Sequence, residues 1–118
     1  YRYEEGAWEG PLALLVDGGS ASASEQFVAM LRDAGSAVVV GERTLGAGCG
    51  MTNGGIPAVL PRSGLAVRMP DCARLRADGT NEVAGIAPDV PAGWTEEDDE
   101  AARAAKAEAA VRRALGAR

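Results

Sequence analysis

Residues 20–25 read Ser20-Ala21-Ser22-Ala23-Ser24-Glu25, three hydroxyls at two-residue spacing followed by a carboxylate. They lie between an apolar run over residues 12–16, of the kind that forms a strand buried on both faces, and a segment in which Phe27, Val28 and Leu31 recur at helical spacing. Where a buried strand turns into a helix, the first-turn N–H groups lack partners and the helix dipole favours negative charge. A nucleophile or an oxyanion is stabilised at such a junction. The same residues also carry a purely structural meaning. Ser22-x-x-Glu25 is a capping box, in which the serine accepts from a first-turn N–H and the glutamate reaches back to the cap N–H. Residue types alone choose neither between these readings nor among the three serines.

The partners that a serine nucleophile needs are scarce. A hydroxyl is a poor nucleophile until a base takes its proton, and the chain contains no histidine. Its single lysine, Lys106, falls in a charged segment near the C-terminus. Cys49 and Cys72 make neither a disulfide framework nor a metal set, and they read as small, half-buried residues. The glycine-rich stretch over residues 41–50 carries Gly46-Ala47-Gly48, but no helix follows it as a dinucleotide fingerprint requires. It reads as an active-site loop or a plain turn.

The elements that must position these residues follow from pattern. Residues 1–10 are an approach segment in which Trp8 covers an edge of the core. A strand over 12–16 ends at the turn Asp17-Gly18-Gly19, and a helix runs from about Ser22 to Asp33-Ala34, where Gly35 stops it. A second short strand over 37–40 completes a βαβ unit with parallel strands. Alternation over 55–69 around Pro61-Arg62-Ser63-Gly64 predicts a hairpin with one face buried. Residues 71–76 offer a further short strand, and 82–89 form a loop pinned by Gly85 and Pro88. A last helix opens on the capping box Thr95-x-x-Asp98 and runs to Gly116, with Val111 and Leu115 as its larger apolar anchors and its charges on a solvated face.

Composition narrows the function classes. The chain has 118 residues, 47% of them apolar, with one Phe, two Trp and two Tyr, so a single modest core of Leu, Val, Ile and Ala is expected. Twelve basic and seventeen acidic residues give a net charge of −5, and the arginines are scattered. This argues against a nucleic-acid surface, which needs clustered cations. No apolar run reaches the length of a membrane span. The start at Tyr1 without an initiator Met leads us to expect a truncated chain.

Three stretches together resemble the tail-specific or C-terminal processing serine peptidases over residues 11–91. They are Ser20-Ala21-Ser22-Ala23-Ser24-Glu25, Ala34-Gly35-x-Ala37-Val38-Val39-Val40-Gly41-Glu42-x-Thr44-x-Gly46-x-Gly48, and Gly85-Ile86-Ala87-Pro88-Asp89. The resemblance implies an α/β fold of the ClpP/crotonase kind and peptide-bond hydrolysis through an acyl-enzyme, with no cofactor and no metal. It makes Ser22 the nucleophile and the Ala23 N–H one oxyanion donor, the second coming from a glycine that the chain does not contain. In one branch the base is a lysine of the glycine-rich loop assisted by a glutamine four residues on, and those positions hold Ala47 and Met51. A second branch, resembling the tricorn protease core, uses a histidine from earlier in the chain and a glutamate before the Gly-x-x-Pro-Asp segment. Glu82 occupies that glutamate's place.

The expectation is therefore the C-terminal part of a peptidase core over residues 1–94 and a C-terminal helix over 95–118. In it Glu82 orients a histidine supplied from outside the 118 residues, by the N-terminal part of the same protein or by another subunit. The substrate would be a peptide or an unfolded protein, and the resemblance alone points to the periplasm, cell envelope or exterior. Two rival readings stand beside this one. Apart from the resemblance, Glu82 is a loop carboxylate accepting backbone hydrogen bonds, and the absence of histidine together with Ala47 fits a peptidase-fold binding module that has lost its base.

Overall fold

The computed structural model of the chain describes residue 6, residues 8–52 and residues 54–116. Most of the approach segment expected at 1–10 lies outside them, and Trp8 is exposed, so it covers no edge of the core. Strand β1 (Ala13–Val16), helix α1 (Ala23–Asp33) and strand β2 (Val38–Gly41) form the expected βαβ unit, with β1 and β2 parallel and Leu15 in register with Val40. A third strand, β5 (Val90–Pro91), pairs parallel to β2 on its other side, giving the order β1-β2-β5. Sequence reasoning missed it because it is only two residues long and ends on a proline, which a strand tolerates at a sheet edge.

Both faces of this small sheet are covered, and the alternation of side chains along each strand assigns the faces. Val16 and Val39 pack with Val28, Ala29 and Ile86 beneath α1, with Leu14 at the margin. On the opposite face Val40 and Ala92 pack with Ala110 and Ala114 of helix α2 (Glu100–Gly116), flanked by Ala13, Val38 and Val90. The core is thus two thin layers around a central β2, in place of the single core expected from composition. Only β2 is buried on both faces. β1 is an edge strand whose Leu15 is 53% exposed, contrary to the fully buried strand its apolar run predicts. Phe27 likewise faces outward, leaving Val28 and Ala29 to bury α1.

Helix α2 starts later than its first capping signal. Asp98 accepts from the Thr95 N–H at 2.7 Å as the expected box requires, but that arm closes a turn ahead of the helix. The side chain of Asp99 accepts from the Ala102 N–H at 2.8 Å, and regular helix begins at Glu100. The buried positions are Ala107, Ala110 and Ala114, spaced three and four apart. Their small side chains let the helix lie close on the sheet, so the alanines, and not Val111 and Leu115, make the main contact. Trp94 ties the entry down, its Nε1 donating to the Arg103 carbonyl at 2.8 Å.

Strands β3 (Ala58–Val59) and β4 (Ala66–Val67) form the expected antiparallel hairpin. Its expected buried face does not exist: Ile56, Val59, Leu60, Leu65 and Met69 are all exposed, because no layer of the described residues lies over the hairpin. The strand expected at 71–76 reduces to a single antiparallel bridge between Leu75 and Asn81. Residues 82–89 are the expected loop, opened by one 3₁₀ turn over Glu82–Ala84. Asp89 closes it, accepting from the Val39 N–H at 2.9 Å and pairing with Arg32 at 2.5 Å, which clamps the segment to β2 and to the end of α1.

Candidate active site

At the end of β1 the chain turns through Asp17-Gly18-Gly19, where the Asp17 carboxylate accepts from the Gly19 N–H and the Ser20 hydroxyl, each at 3.0 Å. Ser20 is therefore spent on the turn. Ser22 follows at the N-cap of α1 with φ 54° and ψ −112°, and it is the one non-glycine residue with positive φ among the described residues. Such backbone costs a side-chain-bearing residue about 1–3 kcal/mol and persists only where its surroundings enforce it.

The enforcing group is Glu25. Its Oε2 accepts from the Ser22 N–H and the Ala47 N–H, both at 2.9 Å. Its Oε1 accepts from the Thr44 hydroxyl at 2.5 Å and the Gly46 N–H at 2.7 Å. The residue is fully buried. Burial alone pushes this carboxyl up, and the hydrogen bonds from Thr44, Gly46, Ser22 and Ala47 together outweigh it, holding the group below the ordinary carboxylate range. Only one arm of the capping box is firmly made. The Ser22 hydroxyl faces the first turn without a cap hydrogen bond, and the residue is exposed.

Thr44 carries the linkage onward. Its hydroxyl accepts from the Ile86 N–H at 2.8 Å, and its own N–H donates to the Ile86 carbonyl at 3.1 Å. The three stretches that carry the family resemblance are thus wired together through one carboxylate and one hydroxyl. Gly46 and Gly85 let the loop and the segment after Glu82 meet backbone to backbone. Both have positive φ, and a Cβ on Gly46 would collide with the Val83 carbonyl, one on Gly85 with that of Thr44. Arg43 donates to the carbonyls of Ala84 and Gly85 and so holds the same two segments together.

Glu82 is buried at 1% exposure, and among the described residues no backbone N–H reaches its carboxylate, so the plain loop reading does not describe it. Its Oε2 accepts from Arg74 Nη1 at 2.6 Å. Its Oε1 is buried with no hydrogen-bond partner among the described residues. Arg74 Nη1 also donates to the Ser22 carbonyl at 3.4 Å. One nitrogen therefore bonds both residues, which places the Ser22 carbonyl and the Glu82 carboxylate on the same side of the molecule with a single guanidinium between them. Ala23, the first residue of α1, presents an N–H that has no acceptor within the helix.

The glycine-rich loop passes directly beside Ser22, since Ala47 and Ser22 share an oxygen of Glu25. A methyl group stands there. Lys106 lies on α2, paired with Asp98 at 2.6 Å. Two residues past Ala47, Cys49 is joined to Cys72 in a disulfide, correcting the reading of these cysteines as merely small and half-buried. The bridge was illegible because the two residues stand 23 apart in an irregular segment and no framework of further cysteines points to it. Thr44 and Arg74 were also missed as site residues. Thr44 stood in the second stretch that carries the resemblance, but a lone hydroxyl amid glycines gave it no role, and Arg74 is 52 residues from Ser22 with no local pattern to connect them.

A strand of the parallel α/β layer thus runs into a helix headed by an exposed, backbone-strained serine, and one guanidinium joins that serine's carbonyl to a buried carboxylate. The chain belongs to peptidase family S41, whose sequence model matches residues 1–92. Among solved structures, a photosystem II D1 C-terminal processing protease is similar at 36% identity over 69% of this chain and 20% of its own, with a TM-score of 0.48. Mature CPAF is similar at 27% identity over 69% of this chain and 15% of its own, with a TM-score of 0.51. The chain thus spans a fifth or less of either structure.

Proposed function

We propose that this chain is the nucleophile-bearing part of a serine endopeptidase of the C-terminal processing type, acting on peptides or unfolded proteins. The observation that carries the reading is the pairing of an exposed hydroxyl on strained backbone with a buried carboxylate that keeps one oxygen unpartnered. A buried carboxylate oxygen without a donor costs about 1–3 kcal/mol or more, and an imidazole N–H entering from outside the 118 residues would satisfy it. That imidazole would take the Ser22 proton as Oγ attacks the scissile carbonyl carbon. The oxyanion would sit at the Ala23 N–H, and the proton would pass to the leaving amine as the C–N bond breaks. Water, deprotonated by the same base, would then release the acyl group and restore Ser22.

A binding module that has lost its base remains the second reading, favoured by Ala47 at the loop position beside Ser22 and by the absence of histidine. A serine-reactive fluorophosphonate applied to the full-length protein separates the two. Labelling confined to Ser22, with turnover abolished in S22A at unchanged melting temperature, supports the peptidase. An unlabelled Ser22 in folded full-length protein, or full turnover in S22A, refutes it.

A further inference from the structure

Arg74 is held from several directions. Its carbonyl accepts from the Glu82 N–H at 2.9 Å while its guanidinium donates to the same residue's carboxylate, so the pair is locked through both backbone and side chain. Upstream, the Cys49–Cys72 disulfide and the Asp71 carboxylate, which accepts from the Thr52 N–H at 2.8 Å and its hydroxyl at 2.9 Å, fasten this strap to the glycine-rich loop. Downstream, Arg76 pairs with Asp33 of α1. The strap is thus anchored on both sides of a residue whose side chain is only 27% exposed.

From this we propose that Arg74 is a positioning residue of the active site: it occupies one oxygen of Glu82, leaves the other for an incoming imidazole, and ties that carboxylate to the Ser22 backbone. The inference rests on the peptidase reading above. A buried carboxylate with neither oxygen partnered would turn toward solvent or take up a proton, and in both cases would stop orienting a base. Arg74 prevents this with a single ion pair, and its second bond, to the Ser22 carbonyl, keeps the carboxylate in step with the elbow that carries the nucleophile. Arginine suits the task because its fork lets one nitrogen serve two acceptors in a fixed plane.

The test is a cycle of R74M, R74K, E82Q and R74M/E82Q in the full-length protein, read as peptide turnover and as the rate of fluorophosphonate labelling. R74M is expected to lower kcat about 10- to 100-fold, taking the loss seen when a hydrogen-bonding group that orients a metal-ligating side chain is removed as the scale for a group acting through another, with KM changed by no more than about twofold. R74K recovers most of the loss, and R74M adds little once E82Q is present, since Arg74 acts through Glu82. Unchanged kcat in R74M overturns the proposal, as does an equal loss with and without E82Q. If R74M fails to fold, R74Q and R74Q/E82Q give the same readout, and an R74Q loss undiminished by E82Q overturns it. S22A keeps the two readings apart. Turnover surviving in S22A removes the peptidase assignment, whereas a dead S22A beside a fully active R74M removes only the role of Arg74.

Discussion

The substitution E25Q probes the junction of the three motifs most directly. Glu25 accepts four hydrogen bonds, two at each oxygen. A glutamine keeps the shape and one acceptor oxygen, so two donors retain a partner and two face a new NH₂ group. Losing two charge-assisted bonds at about 1.5–3 kcal/mol each, offset in part by relief of the buried charge, gives an expected cost of about 3–5 kcal/mol. If that cost falls on the loop, hydrogen-exchange protection at the Gly46 and Ala47 N–H groups drops roughly 10²- to 10³-fold, because about 1.4 kcal/mol is a factor of ten. The same group sets an acid limit. A carboxylate held below its ordinary value of 4.5 contributes stability that is complete above that pH and is lost as pH falls through the lowered folded value. Wild-type melting temperature should therefore decline on acidification below pH 4.5, and the decline should be shallower in E25Q. Protection at Gly46 and Ala47 within about threefold of wild type in E25Q, which is under 1 kcal/mol, would refute the assignment of Glu25 as the organising group.

Two further expectations concern stability. S22G should abolish fluorophosphonate labelling yet raise the melting temperature or leave it unchanged. It relieves a positive-φ strain of about 1–3 kcal/mol against a glycine entropy cost of about 0.5–1 kcal/mol, and a clear drop would show the strain to be absent. Replacing both cysteines, C49S/C72S, removes a bridge between residues 23 apart. The loop-closure relation gives a loss of about 3 kcal/mol, read in thermal melts with and without a reductant. A reductant that destabilises the double variant as much as the wild type would exclude the disulfide as the source.

The amino-acid sequence determined the βαβ unit, the start and stop of α1, the irregular glycine-rich loop and the existence of the hairpin and of α2. Each depends on neighbours within a few residues: the spacing of Phe27, Val28 and Leu31, the Ser22-x-x-Glu25 box, the unbroken valines of β2. It also placed Ser22 at a helix start, but it could not show that Ser22 would adopt positive φ with an unused hydroxyl, since that follows from where Glu25 is anchored. Only the tertiary structure decided what Glu25, Thr44, Arg74 and the two cysteines do. Apart from the Ser22–Glu25 arm and the Arg74–Glu82 pair, which lie three and eight residues apart, their partners are 19 to 52 residues away in the chain, and the crossings of loops that bring them together leave no periodic trace. Burial was misjudged for a related reason. Leu15, Phe27 and the hairpin's apolar residues have the composition of a core, but composition records what a side chain favours and not whether another layer lies over it.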